Sequence, residues 1–288
     1  LTQSQRSRTL GMLLIQVNPD HSIPLRRAQD VSQACMAVYG EVTEPYVMSL
    51  RDLLGFIGSL EWRKNGMALD AIKDLGDGRI HPHYGVFAPV RSEYIGLLEK
   101  APLPELLSKQ SVAFDIGTGT GVLAAVLAKR GIQKIIATDQ DERAIECAAE
   151  NIEGLGIGKQ VKLMQTNLFP DGQAGLIVCN PPWVPARPSS PIEYAVYDPD
   201  SQMLKGFLAG LKEHLLPSGE GWLILSDLAE HLGLRTRAEL LAWIEAAGLK
   251  VLGRNDVRPT HAKALDKEDP LYRARAAEVT SLWRLGAA

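Results

Sequence analysis

From residue 112 onward, the apolar positions of this chain cluster in short runs separated by longer amphipathic stretches. The runs are VAFDI (112–116), KIIAT (134–138), VKLMQ (161–165), GLIVCN (175–180) and GWLILSD (221–227). Their residues are largely β-branched or Leu, and most are apolar throughout rather than at every second position. That pattern marks strands buried on both faces. Between them lie helical patterns at about 121–130, 141–154, 200–216 and 235–247. Strand–helix alternation of this kind predicts a doubly wound α/β sheet with right-handed crossovers. Two more strand-like runs, LKVLGRNDV (249–257) and EVTSLWRL (278–285), follow with no helix clearly between them. They predict an antiparallel, hairpin-like pair on one edge.

The beginning of the chain has a different texture. A stripe at Val31, Ala34, Cys35 and Val38, closed by Gly40, predicts a helix. The stretch PYVMSLRDLLGFIGSLEW repeats the pattern with Val47, Leu50, Leu53, Leu54 and Ile57. The run Leu10–Val17 follows Arg6 and Arg8, as in a secretory signal, but Gln16 interrupts it and no small-residue cleavage site follows. A first strand or helix is the better reading. GDGRIHPHYGVF reads as a turn and a short strand. The predicted organisation is a small, mainly helical domain over residues 1–78, a candidate for substrate recognition, and an α/β domain over 79–288.

Composition narrows the class without fixing it. The 288 residues are 45% hydrophobic and 23% charged, the balance of an ordinary globular protein. A net charge of −3 excludes polyanion binding driven by the whole molecule's field, while leaving room for a local basic patch. Acidic and basic residues balance at 11 each over residues 1–100. Three distant cysteines, Cys35, Cys147 and Cys179, with no CxxC, point to a reducing, cytoplasmic setting without disulfides or zinc. No apolar run approaches a membrane span. His81-Pro82-His83 places two imidazoles on an extended segment, but no third ligand is evident, so no metal site is expected.

The candidate chemistry begins at DIGTGTG, residues 115–121, where the first buried strand hands over to a helix. Gly117, Gly119 and Gly121 permit positive φ and let a ligand touch bare backbone, beside the free N–H groups of a helix start. A dinucleotide fingerprint would read G-x-G-x-x-G, but Val122 holds its sixth place, which argues against a nicotinamide oxidoreductase. Asp115, two positions before the first glycine, would repel a pyrophosphate. It suits a ligand with a cationic end, such as S-adenosyl-L-methionine with its ammonium and sulfonium. Asp139, at the end of the second strand, can accept from both hydroxyls of a ribose.

At the end of the fourth strand stands Asn180-Pro181-Pro182-Trp183, 59 residues after Gly121. The two prolines stiffen the backbone and remove two donors. The Asn side-chain oxygen and a Pro carbonyl can together grip both hydrogens of an –NH2 group, while Trp183 offers a flat face for a planar amide or base. A conjugated nitrogen is a poor nucleophile. Holding its hydrogens and aiming its lone pair is what methylating it requires.

With these motifs the sequence resembles the class I S-adenosylmethionine-dependent methyltransferases. It looks most like the branch carrying Asn-Pro-Pro-aromatic: release-factor glutamine methyltransferases and N-methyltransferases of RNA and DNA bases. The resemblance covers residues 84–285, with specific motifs at 115–121, 139, 166–169 and 180–183. It implies a seven-stranded, Rossmann-like sheet with an antiparallel last strand. It implies that Asp115, Gly117, Thr118, Gly119 and Gly121 line the methionine end of the cofactor and that Asp139 binds the ribose. Asn167, with Leu168 beside it in QTNLF, would stand where the family usually has an Asp facing the adenine amine. Asn180, Pro181, Pro182 and Trp183 would be the catalytic group. FAPVRSEYIGLLE, with Arg91, occupies the place of the Pro-Arg segment of the glutamine methyltransferases. Trp183 replaces their usual Tyr, and its wider face suits a nucleobase at least as well as an amide.

Other segments bear on the partner. VPARPSSPIEYAVYDPD (184–200), with four prolines, suits a substrate-binding lid. Residues 254–275 carry six bases, Arg254, Arg258, Lys263, Lys267, Arg273 and Arg275, against four acids. They read as a solvated loop before an RNA contact. The expected activity is N-methylation of a macromolecule, with a protein glutamine of a release or ribosomal factor ahead of an RNA or DNA base amine. A non-catalytic cofactor-binding scaffold on the same fold is the third reading, though it predicts decay of a motif that stands intact here.

Overall fold

The computed structural model describes residues 2–107, 112–185, 197–259 and 271–288. Contacts divide the chain into two units: Leu1–Gly66 with His81–Tyr84, and Met67–Ile80 with Gly85–Ala288. The boundary expected at residue 78 lies within the stretch where the chain passes between them.

The first unit comprises α1 (Thr2–Met12), β1 (Leu14–Val17), α2 (Ser32–Tyr39), β2 (Tyr46–Ser49) and α3 (Leu50–Asn65). β1 and β2 pair antiparallel, from Leu14 opposite Ser49 to Val17 opposite Tyr46. Val17, Val31, Ala34, Cys35, Met48, Leu53 and Phe56 form its core. The second stripe expected as one helix is a strand followed by a helix. Ser49 ends the strand and caps α3, its side chain accepting from the Asp52 N–H at 3.1 Å. Val47, counted in that stripe, is exposed on β2, because a strand turns alternate residues outward. The apolar run from Leu10 likewise divides, α1 ending at Met12 and β1 beginning at Leu14.

In the second unit β3 (Met67–Ala68) pairs with β4 (Arg79–Ile80). There follow α4 (Glu93–Lys100), β5 (Val112–Ile116), α5 (Val122–Lys129), β6 (Lys134–Asp139), α6 (Glu142–Gly154), β7 (Val161–Gln165) and β8 (Ala174–Cys179). The chain then runs through α7 (Gln202–His214), β9 (Leu215–Ser226), α8 (Leu228–His231), α9 (Arg237–Ala246), β10 (Leu249–Val257), α10 (Tyr272–Ala277) and β11 (Thr280–Ala287). Seven strands form one sheet in the order β10-β11-β9-β8-β5-β6-β7. β5 to β9 are parallel, and β11 runs antiparallel to both β9 and β10. The expected terminal pair is present, with the short α10 between its strands.

Side chains of the central strands alternate between two cores. Ala113, Leu176, Val178, Trp222 and Ile224 pack with α4, α5 and α6, while Phe114, Ile116, Ile177, Cys179, Leu223 and Leu225 pack with α7 and α9. Both faces are covered, which is why these strands read as unbroken apolar runs. On the face of β9 that carries Trp222, Glu220 accepts from Trp222 Nε1 at 2.8 Å and from Arg284 Nη2 and Nε at 2.5 and 2.7 Å. Strand order reverses between β5 and β8: the chain goes outward through β6 and β7, then returns to the other side of β5. Ligands of open α/β sheets bind at this switch, outside the carboxyl ends of the strands. Among the described residues no helix is long and apolar enough to cross a membrane.

Candidate functional site

The loop after β5 holds its three glycines in the left-handed region, with φ of 71° at Gly117, 54° at Gly119 and 81° at Gly121. A side chain at Gly117 would run into the methyl of Met203, whereas one at Gly119 would meet open space. Gly119 therefore offers a bare, accessible backbone. The loop is stitched to its neighbours. Thr118 N–H donates to the Thr138 carbonyl at 2.8 Å, and Gly119 N–H donates to Asp139 Oδ2 at 3.0 Å. Asn151, buried on α6, donates to the Thr120 carbonyl at 3.0 Å.

Asp115 is fully buried beneath this loop. Its Oδ2 accepts from Thr118 Oγ1 at 2.7 Å and from Ala124 N–H at 3.0 Å, so it braces the turn into α5. Its Oδ1 is buried without a hydrogen-bond partner. Burial raises the carboxyl pKa to about 7, against the pull of those two bonds. A buried carboxylate with an unused oxygen, beside bare backbone, favours a cation over any anion.

Asp139 ends β6. Its Oδ1 accepts from Asp141 N–H at 3.0 Å, which with the Gly119 bond leaves lone pairs for further donors. Burial raises its pKa as well. The next turn is tied to it: Thr166 N–H donates to the Asp139 carbonyl at 3.0 Å, and Thr138 Oγ1 donates to the Leu168 carbonyl at 2.6 Å. Leu168 takes a φ of 63°, unusual for a non-glycine residue, and Asn167 beside it is exposed. The segments expected at the cofactor thus stand on three adjacent strand ends.

The fourth segment arrives through register. Ile116 pairs with Cys179 across β5 and β8, so Gly117 and Asn180 leave neighbouring strands side by side. Pro181 is buried, and Asn180, Pro182 and Trp183 are half-buried. Trp183 Nε1 donates to Asn180 Oδ1 at 2.8 Å. This contact escaped sequence reasoning: one of the two lone pairs of the Asn oxygen is already committed, leaving one for a substrate. The Arg91 guanidinium lies 5.1 Å from the Trp183 ring centroid, and the buried Tyr94 meets that ring edge-on at 6.3 Å. Sequence reasoning singled out no role for Tyr94.

Beyond Val184 the chain returns at Tyr197, with which Val184 forms a parallel bridge. Residues 186–196 of the expected lid, and 260–270 of the basic insert, lie outside the described residues. The return is tightly built. Asp198 is buried and accepts from Met203 and Leu204 N–H at 3.0 and 3.1 Å, capping α7. Asp200 and Ser201 both take positive φ, 56° and 55°, and bring Met203 against Gly117. Sequence patterning gave no signal for Met203. In the first unit, His81 Nδ1 donates to the Arg63 carbonyl at 2.7 Å. Among the described residues no group of three or more His, Cys, Asp or Glu could hold a metal ion.

A family model described as ribosomal protein L11 methyltransferase (PrmA) matches residues 97–181. A release factor glutamine methyltransferase of Cereibacter sphaeroides is 30% identical over 200 residues, 64% of this chain and 65% of that protein. A U6 small nuclear RNA (adenine-(43)-N(6))-methyltransferase of Caenorhabditis elegans is 31% identical over 108 residues, 33% of this chain and 22% of that one. The chain thus spans less than two thirds of the length of these relatives. A solved structure of geranyl diphosphate methyltransferase in complex with SAM superposes with a TM-score of 0.51 at 14% identity, over 77% of this chain and 97% of that one. That likeness is one of fold: a seven-stranded, Rossmann-like sheet.

Proposed function

We propose that this chain, which belongs to the class I S-adenosylmethionine-dependent methyltransferases, methylates a planar amide nitrogen, that of a glutamine in a protein. The observation that carries the reading is the register of Ile116 with Cys179. It sets the glycine loop and the Asn180–Trp183 group at the switch point on neighbouring strand ends.

The residues fit the cofactor. The bare backbone at Gly119 with Thr118 and Gly121, and the buried carboxyl of Asp115 with its unused Oδ1, suit the cationic methionine end. Asp139 retains acceptor sites for ribose hydroxyls, and Asn167 and Leu168 stand at the adenine end. Bound there, S-adenosylmethionine supplies a methyl group on an electron-poor sulfur. The rest is work for the protein. The remaining lone pair of Asn180 Oδ1 and a carbonyl of the Pro181–Pro182 backbone accept the two hydrogens of the amide –NH2. The indole of Trp183 sets the plane of the amide. Together they fix the direction of the nitrogen lone pair and stabilise positive charge growing on it, and the proton that the methylated nitrogen loses passes to solvent. In this reading the first unit recognises the acceptor protein, and the exposed Met12, Leu13, Leu14 and Val47 give it apolar surface for that task.

The test is transfer of radiolabelled methyl groups to a purified release factor and, separately, to bulk RNA. Label in the protein that survives ribonuclease and disappears in Asn180→Ala supports the reading. Label confined to RNA replaces the glutamine with a base amine. A chain that binds S-adenosylhomocysteine but labels neither macromolecule overturns the acceptor class.

A further inference from the structure

Arg91 is a residue to which the proposed transfer chemistry assigns no part, and its surroundings are too elaborate for a surface charge. Its guanidinium covers the Trp183 ring at 5.1 Å. Its Nη2 donates to Glu278 Oε1 at 2.9 Å, and its Nε approaches Glu93 Oε1 at 3.3 Å. The Arg91 side chain is 15% exposed and that of Glu278 is 0% exposed, so water does not screen the pair as it would a surface ion pair. Glu278 Oε1 also accepts from Ser226 Oγ at 2.5 Å, and that Oγ accepts from Leu228 N–H at 3.0 Å. Ser226 ends β9, the neighbour of β8 on the side away from the glycine loop.

Trp183 is therefore held by Asn180 at its N–H, by Arg91 over its face and by Tyr94 at its edge. Arg91 is in turn fixed from the opposite end of the domain's sequence by a carboxylate 187 residues away. Arg suits this place and Lys does not. Only a planar guanidinium stacks on an indole while forking towards two carboxylates. The second Glu278 oxygen, Oε2, is buried without a partner. A pair kept for stability alone is expected to have both carboxylate oxygens satisfied.

We propose that Arg91, oriented by Glu278, is a positioning residue that sets the tilt of the Trp183 indole and so the plane in which the acceptor nitrogen is presented. The inference rests on the reading of Asn180–Trp183 as the transfer site. It adds a substrate-side element built from the segment before α4 and from Glu278, which follows α10 two residues before β11. The covered face of the indole is closed to substrate, which leaves the opposite face for the planar acceptor group. The competing account makes the pair a brace between α4 and β11 with no bearing on the indole.

The experiment compares Arg91→Lys and Glu278→Gln in the full chain. The first readout is the indole N–H resonance of Trp183, identified as the one of five tryptophan signals lost in Trp183→Leu. That signal moves in both variants while the other four hold, and calorimetry with S-adenosylhomocysteine gives an unchanged affinity. The second readout is methyl transfer to a release factor. For that protein kcat falls roughly fivefold to thirtyfold with KM held within about threefold, the scale of one lost cation–π contact. In a Trp183→Leu background, Arg91→Lys adds nothing further. Should Glu278→Gln fail to fold, Arg91→Met combined with Glu278→Gln removes both charges together and carries the same expectation. A Trp183 signal that stays in place in every folded variant, or an equal loss of transfer in the Trp183→Leu background, overturns the proposal. If the unaltered chain methylates no release factor, the proposed function falls, while the indole resonance still decides this inference.

Discussion

Gly119 donates its backbone N–H to Asp139 Oδ2 at 3.0 Å. This single bond ties the loop after β5 to the carboxylate at the end of β6. The shape of the glycine loop and the orientation of the proposed ribose acceptor therefore depend on each other, and neither is set by its own strand alone.

Asp139→Ala removes an acceptor shared by Gly119 and Asp141 along with the sites left for a ligand. Hydrogen bonds to a charged group contribute about 1.5–3 kcal/mol each, so the Kd for S-adenosylhomocysteine rises roughly 10- to 100-fold. Titration calorimetry reads the change. An affinity within twofold of the unaltered chain removes Asp139 from the ligand site.

Asp115 gives a pH dependence with a definite sign. Its folded pKa, about 7, lies above the ordinary 3.8. Between those values the folded chain keeps a proton that the unfolded chain has released. Stability without ligand therefore falls as pH rises from about 4 to 7 and is level above, as far as this group is concerned. A cationic ligand favours the carboxylate, so S-adenosylmethionine binds more tightly from pH 6 to pH 8 and expels a proton near neutrality. Calorimetry in two buffers of different ionisation enthalpy detects that proton. Asp115→Asn abolishes it; an undiminished proton release in that variant assigns the titration elsewhere.

Gly117 and Met203 are expected to be coupled. Gly117→Ala places a methyl group against the Met203 side chain at a backbone φ of 71°. Overpacking costs about 1–3 kcal/mol, and the left-handed backbone adds about 1 kcal/mol more. Met203→Ala in the same chain relieves the first cost and leaves the second. Urea unfolding of the two single variants and the double variant measures the coupling. Additive losses would place Met203 away from the loop.

Glu220 tests the far side of the sheet. Burial pushes its pKa up, but hydrogen bonds from Arg284 and Trp222 outweigh that and hold it below the ordinary 4.5. Arg284→Met leaves a buried carboxylate with one donor and destabilises the fold by about 3 kcal/mol in urea titrations at neutral pH. A depressed carboxyl stabilises the fold above its unfolded pKa and loses that contribution as pH falls. The gap between the two chains therefore narrows below pH 4.5. A gap that is constant down to pH 3 would rule out the ion pair as its source.

The elements legible in the sequence are those whose signal is local. The central strands β5, β8 and the second half of β9 could be placed from apolar runs, because burial on both faces leaves no alternation to confuse them, whereas β7 and the largely exposed β10 were placed by their position in the alternation. DIGTGTG and NPPW declared themselves by glycine and proline at strand ends. Tyr46–Ser49 did not, since Val47 happens to fall in helical register with Leu50 and Leu54, and only pairing with β1 makes a strand of it. The hold of Glu278 on Arg91 joins residues 187 positions apart, and no periodicity carries that information. Nor does any spacing reveal that the Trp183 N–H occupies an Asn180 lone pair, since the contact depends on how Pro181 and Pro182 turn the chain.

The placement of β11 has a bearing on how the molecule comes together. β10 is translated before β11, yet it reaches the sheet only through it. A nascent chain can therefore pair β5 to β9 as they emerge, while β10, packed against α9 and α4, finds its strand partner only when residues 280–287 slot in beside β9. Glu278 travels with that late strand. Arg91 thus gains its carboxylate partner near the end of assembly, and the wall beside Trp183 would be one of the last parts of the cleft to mature.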